Sequence, residues 1–260
     1  GISIPVGKDS LSMRTKWSDN GATKQVTAPV SLIVTAFASI ADVRPTLTPQ
    51  LVTQEAGQPL DTTLILVDLG EGKKRMGGSM LAQVIGQFGN DVPDLDNPAM
   101  LKATVAAVNQ LRAEGKLLAY HDRGDGGLWA TVCEMAFAGH TGVALNVDML
   151  VAESTGVDDS RADTGDAKNW AGQVGERRNE LTLKALFNEE LGVVLQVRTT
   201  DRDAVLQTLR AHGLSAHSHV IGKPTLKGAA AQEVQVWRDA KQVFSAPLQQ
   251  LHQTWDEVSW

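Results

Sequence analysis

One stretch limits what this chain can fold into more than any other. Residues 117–120 are apolar and read as a strand. Tyr120-His121-Asp122-Arg123-Gly124-Asp125-Gly126-Gly127-Leu128 then carries two carboxylates and three glycines into an apolar helical pattern over 128–138. Strand, glycine loop and helix in direct succession require a layered arrangement, with the helix packed back on a sheet. Gly126 and Gly127 lack a Cβ, so the backbone there can approach a ligand closely. The helix start directs unpaired N–H groups and a positive dipole end at the loop. Asp122 and Asp125 offer hard oxygens of the kind Mg²⁺ takes. The same residues also satisfy a plainer reading, a turn that closes on a helix cap, with Asp125 as the cap.

The remaining pattern fills in the layers. Residues 3–6 read as a short strand entering a loop over 7–12. Residues 30–40 are β-branched and apolar and read as a buried strand, with Pro45 and Pro49 in the exit loop. Residues 63–69, with Leu64-Ile65-Leu66-Val67, form another buried strand. Residues 79–88 suit a helix capped by Ser79. Met100, Leu101, Val105, Val108 and Leu111 make a helical stripe over 98–112, closed by Gly115. Strands follow at 143–147, 192–197 and 219–222. Helices are expected from 181 to 187 and from 201 to 212, the latter capped by Asp201. A hairpin turns on Asp239-Ala240, and a terminal helix covers 247–258. The elements interleave without a regular βαβ order, so the expected class is α/β of the mixed α+β kind, a mixed sheet with flanking helices. Glu55-Ala56-Gly57-Gln58-Pro59 reads as a linker. It divides the chain into 1–56, 57–246 and a terminal segment, 247–260. The polar, Asp- and Gly-rich run 154–180 reads as a flexible insertion.

Charge and composition remove several classes of function. The net charge of −6 argues against nucleic acid as a partner. The basic clusters Lys73-Lys74-Arg75 and Arg177-Arg178 read as solvated loops. No apolar run is long enough for a membrane span. Cys133 stands alone, which excludes an internal disulfide and suits a reducing cytoplasm, the expected location. It lies within an apolar helical pattern, as a small buried residue rather than a nucleophile. His212, His217 and His219 are close in sequence but bring no further ligand, and they read as exposed loop histidines. Asn188-Glu189-Glu190 is acidic enough for a metal site and equally suits a polar loop before a strand. Trp237, Trp255 and Trp260 are bulky enough to pack against a following domain. A chain that opens on Gly1 rather than Met implies a native start further upstream.

The loop Gly7-Lys8-Asp9-Ser10-Leu11-Ser12-Met13 ends like a P-loop but is not one, because Ile2 stands where the upstream glycine is required. Its residues still suit anion chemistry. Gly7 permits close approach, Lys8 neutralises phosphate as a point charge and Ser10 donates to a substrate oxygen. A polar turn is the alternative.

Taken in order, residues 1–14, Ala36-Phe37-Ala38, Asp42-Val43-Arg44, Thr46-Leu47-Thr48-Pro49-Gln50, His121 to Gly127, Cys133 to His140 and Leu186-Phe187-Asn188-Glu189-Glu190-Leu191-Gly192 resemble phosphoribosylformylglycinamidine synthase of the large type. The likeness runs along nearly the whole chain and suits the later part of the second half of that enzyme's synthetase core. It implies the tail of a barrel-forming domain followed by an aminoimidazole ribonucleotide synthetase-like C-terminal α/β domain. It also implies an ATP-dependent C–N ligase of purine biosynthesis with glutamine as amido donor, converting formylglycinamide ribonucleotide to formylglycinamidine ribonucleotide. ATP or ADP and Mg²⁺ are the implied cofactors. The implied partners are a small-molecule substrate, the first synthetase half and a glutaminase domain of the same polypeptide.

By the same resemblance Asp122 is a Mg²⁺ ligand and Gly124, Gly126 and Gly127 are nucleotide contacts at an auxiliary site. Gly124 departs from the usual serine and loses its hydroxyl. Gly7 touches ATP and Ser10 binds substrate at the catalytic site. Lys8 stands where smaller relatives carry a metal-binding asparagine, so either Asp9 takes that role or Lys8 contacts phosphate directly. The fragment alone is expected to be inactive. A non-catalytic nucleotide-binding scaffold of the same superfamily is the alternative. Aminoimidazole ribonucleotide synthetase and thiamine-phosphate kinase fit the loop at 7–13 and the phrase at 134–140 less well.

Overall fold

The computed structural model describes residues 3–7, 13–28, 33–151, 170–226 and 232–257, without side-chain detail for 170–174. The chain forms two compact units, Gly1–Arg44 and Pro45–Trp260.

The smaller unit is built on one antiparallel hairpin, β1 (Arg14–Asp19) and β2 (Ala22–Thr27). Asn20-Gly21 makes the turn with φ of 50° and 79°, the left-handed pair that a two-residue hairpin loop needs. The pattern reading missed this hairpin because its strands are polar on both faces. Two expected strands, at 3–6 and 30–40, are not found among the described residues. Residues 3–6 are irregular and exposed. Residues 33–40 are irregular as well, with Ile33 and Phe37 more than nine-tenths exposed. A strand needs a sheet to join, and β-branched composition alone supplies none.

The larger unit follows its expected class, a mixed sheet with helices on both faces. A small ribbon, β3 (Gln54–Glu55) and β4 (Gln58–Pro59), leads into β5 (Thr62–Asp68), every residue of which is buried. After it come α1 (Met80–Val84), α2 (Pro98–Ala113), β6 (Leu117–Asp122), α3 (Gly127–Gly139), β7 (Gly142–Asn146), α4 (Asp148–Val151), α5 (Trp170–Phe187) and β8 (Gly192–Arg198). The chain continues with α6 (Arg202–Ala211), β9 (Ser218–Thr225), β10 (Glu233–Arg238), β11 (Lys241–Pro247) and α7 (Leu248–Asp256). The strand order is β11-β10-β7-β9-β5-β8-β6, antiparallel at every contact except the parallel pair β10/β7.

β5 lies deep in this sheet, which explains the continuous apolar run Leu64 to Val67 at its centre. Leu64 and Leu66 face one core with α3, α5 and α7, while Ile65 and Val67 face the other with α2 and α6. Alternate side chains point to opposite faces, so a strand covered on both sides must be apolar throughout. Each such side chain contributes about 1.5–3 kcal/mol. Asn97 caps α2 through Met100 N–H, and Pro98 follows at the first helical position, where its missing donor costs nothing.

Two element boundaries move. α1 ends at Val84, well short of 88, although Ser79 caps it as expected by accepting from Ala82 N–H. α5 starts at Trp170, so residues 170–180 are helical; residues 154–169 of the expected insertion lie outside the described residues. Leu51, upstream of the expected linker, is buried in the core of the larger unit. Among the described residues no helix is long and apolar enough to cross a membrane.

Candidate functional site

The antiparallel register brings three chain segments to one end of the sheet. Asp68, the last residue of β5, lies opposite Gly192 at the start of β8, and Asp122, the last of β6, lies opposite Val193. The loops after both aspartates and the segment Asn188–Leu191 before β8 therefore meet there.

The floor of this end is a set of buried charges. Arg123 is almost fully buried. Its Nη2 donates to Asp68 Oδ1 at 2.7 Å and to the Leu191 carbonyl at 3.0 Å, and its Nε donates to the Glu190 carbonyl. Burial alone would raise the Asp68 carboxyl. The Arg123 charge, its hydrogen bond and the Gly70 N–H outweigh that, and the group sits below its ordinary value. Glu190, fully buried, takes Arg75 in a bidentate pair, Nε to Oε1 at 2.7 Å and Nη2 to Oε2 at 2.8 Å. Arg75 also reaches Asp96 Oδ2 at 2.8 Å. The Glu190 and Asp96 carboxylates push the Arg75 guanidinium above its ordinary value.

Arg75 thus corrects the reading of Lys73-Lys74-Arg75 as a solvated loop: its charge is consumed inside the fold. Asn188 is likewise structural. Its side-chain amide donates to the Lys184 carbonyl at 2.6 Å and closes the last turn of α5. Sequence reading missed Asp68, Arg75 and Arg123. The available signal, for Asp68 and Arg123, was a charge at the end of a largely apolar strand, a position tolerated in burial only when paired; Arg75, out in the following loop, offered none.

The rim is different. The Asp122 side chain is 77% exposed. Gly124 and Asp125 are exposed, and nothing stands within 4 Å of where a Cβ on Gly124 would sit. Gly126 and Gly127 adopt φ of 80° and 67°, and Gly126 is the residue at the start of α3; Asp125 does not cap it. A Cβ on Gly127 would lie 2.6 Å from the Asn188 carbonyl oxygen and 2.7 Å from that of Leu186. This glycine therefore admits the α5 backbone. The first N–H groups at this helix start are also not free: Gly126 N–H donates to Glu189 Oε1 at 2.8 Å and Gly127 N–H to the Gly124 carbonyl at 3.0 Å.

His121 is fixed through Nε2, 2.7 Å from Glu134 Oε2, with Nδ1 3.8 Å from Asp122 Oδ1. Cys133 is buried, and burial, with Glu134 adding to it, pushes its thiol up to about 12, well away from thiolate chemistry. His219 is not an exposed loop residue but lies half-buried on β9. Trp255 packs against Phe137 of α3, ring centroids 6.0 Å apart. Among the described residues no three His, Cys, Asp or Glu side chains converge on a metal position. One exposed carboxylate still fits Mg²⁺, which binds through one or two carboxylates and completes its shell with water and phosphate.

Gly7 is exposed in the smaller unit, and nothing crowds its Cβ position. Lys8, Asp9 and Ser10 lie outside the described residues. A groove of about 540 Å³ opens near the start of β5, lined in part by Asp61, Thr63, Asn146 and Trp237. It is remote along β5 from the Asp68 end and includes none of the candidate residues.

A mixed sheet covered by helices on both faces, with a glycine loop and an exposed aspartate at one strand end, defines the class as a mixed α/β domain. Residues 62–231 match the family model for the AIR synthase related protein, C-terminal domain, and the chain belongs to that family. Residues 1–39 match the FGAR-AT PurM_N-like domain. Among solved structures, PurL of T. maritima complexed with ATP is 13% identical with a TM-score of 0.53, over 88% of this chain and 28% of that one. The same protein complexed with FGAR is 14% identical with a TM-score of 0.53, over 80% and 30%. HypE of E. coli, a hydrogenase maturation protein, is 15% identical with a TM-score of 0.47, over 86% and 55%. The likeness to PurL shows a shared fold, and this chain spans less than a third of those PurL chains.

Proposed function

We propose that this chain is part of a phosphoribosylformylglycinamidine synthase of the large type and supplies one nucleotide site to it. The observation that carries the reading is the Asp122 loop: an exposed carboxylate at a strand end, on a glycine-rich segment whose base is locked by buried Arg123. Family membership of residues 62–231, and a fold shared with a PurL that was solved with ATP and with FGAR, support it.

In this reading Asp122 would hold Mg²⁺ and the exposed backbone at Gly124 would face the nucleotide, while Gly126 and Gly127, whose N–H groups are taken within the fold, shape the turn beneath it. Bound Mg²⁺ supplies charge neutralisation of the phosphates. The chain's own part is to orient: Arg123 fixes the loop, and the exposed rim leaves the carboxylate able to turn to a ligand. Gly124 has no hydroxyl, so any contact there comes from the backbone. Gly7, Lys8, Asp9 and Ser10 are proposed for the catalytic site, with Ser10 on the substrate and Lys8 or Asp9 on phosphate or metal. The whole enzyme would carry out the ATP- and glutamine-dependent amidation of formylglycinamide ribonucleotide with its other domains as partners. This chain alone is expected to show no turnover with ammonia and ATP.

Calorimetric titration with MgADP, run beside Asp122→Ala, tests the site. Micromolar binding, about −8 kcal/mol, that the substitution abolishes is the expected result. No binding by the unaltered chain would leave it a scaffold and overturn the nucleotide reading.

A further inference from the structure

The Asp122 loop is pinned at both ends, and the two pins differ. At its start Arg123 N–H donates to the Gly192 carbonyl at 2.8 Å, and the Arg123 side chain is buried against Asp68. At its end Gly126 N–H donates to Glu189 Oε1 at 2.8 Å. The same Oε1 accepts Met80 N–H, also at 2.8 Å, from the first residue of α1. Glu189 is itself held on both sides, by Asn188 closing α5 and by Glu190 locked to Arg75. One half-buried carboxylate oxygen therefore ties the far end of the aspartate loop to a second loop more than 40 residues away in sequence. Between the pins, Gly124 and Asp125 are exposed and open.

We infer that Glu189 is a positioning residue for the proposed nucleotide site. It touches no ligand; it holds the loop so that Asp122 and the Gly124–Gly127 backbone keep one geometry. The inference rests on the nucleotide reading above. The interaction needs an acceptor oxygen in that place, so a glutamine, which keeps one, preserves the tie in weaker form, and an alanine does not.

The test uses the full chain, with Glu189→Ala and Glu189→Gln beside the unaltered protein. Amide hydrogen exchange is followed over the peptide containing residues 122–128, and ADP is titrated with and without Mg²⁺. Glu189→Ala is expected to speed exchange in that peptide and to weaken MgADP binding by about tenfold or more, with ADP alone changed little. Glu189→Gln is expected to restore most of both. A general structural role would lower affinity with and without Mg²⁺ alike. Unchanged exchange in Glu189→Ala, or faster exchange with undiminished MgADP affinity, would overturn the positioning role. An unaltered chain that binds no MgADP would instead overturn the nucleotide reading, and this role with it.

Discussion

Asp68 and Asp122 end two strands that flank the same partner, yet they have opposite surroundings. The Asp68 side chain is 11% exposed and paired with Arg123; that of Asp122 is 77% exposed, with His121 Nδ1 3.8 Å away. Both sit at the same end of the sheet, one strand apart. The difference shows how the fold divides the work. Charges on the floor are neutralised inside the chain and hold three segments together. The charge on the rim makes little contribution to the fold and is left available to something outside it. Changes on the floor should therefore appear as lost stability, and changes on the rim as lost binding.

The largest effect should come from Glu190, which is fully buried with three donors from Arg75 on its carboxylate. Glu190→Ala leaves the Arg75 guanidinium buried with two of its five hydrogen bonds gone. The expected loss is about 3–5 kcal/mol, or roughly 10 °C in Tm for a domain of this size, read by denaturant or thermal unfolding. A loss below about 1 kcal/mol would mean that Asp96 and water replace the carboxylate, and that the floor is not what holds these segments together.

Next comes Gly127→Ala. The residue has φ of 67°, and its new Cβ would press on the Asn188 and Leu186 carbonyl oxygens. Left-handed backbone and overpacking together should cost about 2–4 kcal/mol. Gly124→Ala, at the open rim position of the same loop, should cost less than about 0.5 kcal/mol. Equal costs at the two glycines would erase the distinction between floor and rim.

Sequence pattern made the strands of the larger sheet legible because their signals are local. The run Leu64 to Val67 and the turn at Asp239-Ala240 are contiguous, and the helix expected over 98–112 forms, although Leu101 and Val105 of its expected stripe are exposed while Thr104 and Ala107 join Met100 and Leu111 in burial. The rim of the proposed site, Asp122 to Gly127, is likewise one contiguous stretch of sequence. The floor is not. Arg75 meets Glu190 across 115 residues and Arg123 meets Asp68 across 55, and no local period encodes those pairings. Apolar composition misled at 33–40, where Ile33 and Phe37 stay exposed, and polar composition hid both the β1/β2 hairpin and the first turns of α5. On the α5 side, Arg178 is held by Asp239 of the distant hairpin, again a long-range partner.

The acid limb of stability sharpens the comparison further. Asp68 is held below its ordinary value of 3.8, so the unfolded chain takes up a proton first as pH falls. The stabilisation is complete above 3.8 and is lost on the way down through the folded value. His219, whose imidazole lies below its ordinary 6.5, has the same sign in a higher window. Burial lowers it; Asp68 opposes this, and His217 and Lys74 add to it. Stability should therefore decline in two steps, beginning below pH 6.5 and again below 3.8. His219→Gln should remove the first step, and urea unfolding across pH 3–8 reads both. An unchanged upper step in His219→Gln would assign that titration elsewhere.

The smallest effect on stability is expected at Asp122 itself. Its exposed carboxylate faces His121 Nδ1 at 3.8 Å, a separation at which an exposed pair is worth little. His121 stays fixed through Glu134 whether or not Asp122 is present. Asp122→Ala should therefore change unfolding free energy by no more than about 0.5 kcal/mol, while abolishing the MgADP signal. A loss above about 1 kcal/mol would place Asp122 with the floor rather than the rim. The carboxylate would then be spent on holding the fold, as Asp68 is, and a lost calorimetric signal in this variant would report a damaged loop in place of a missing ligand.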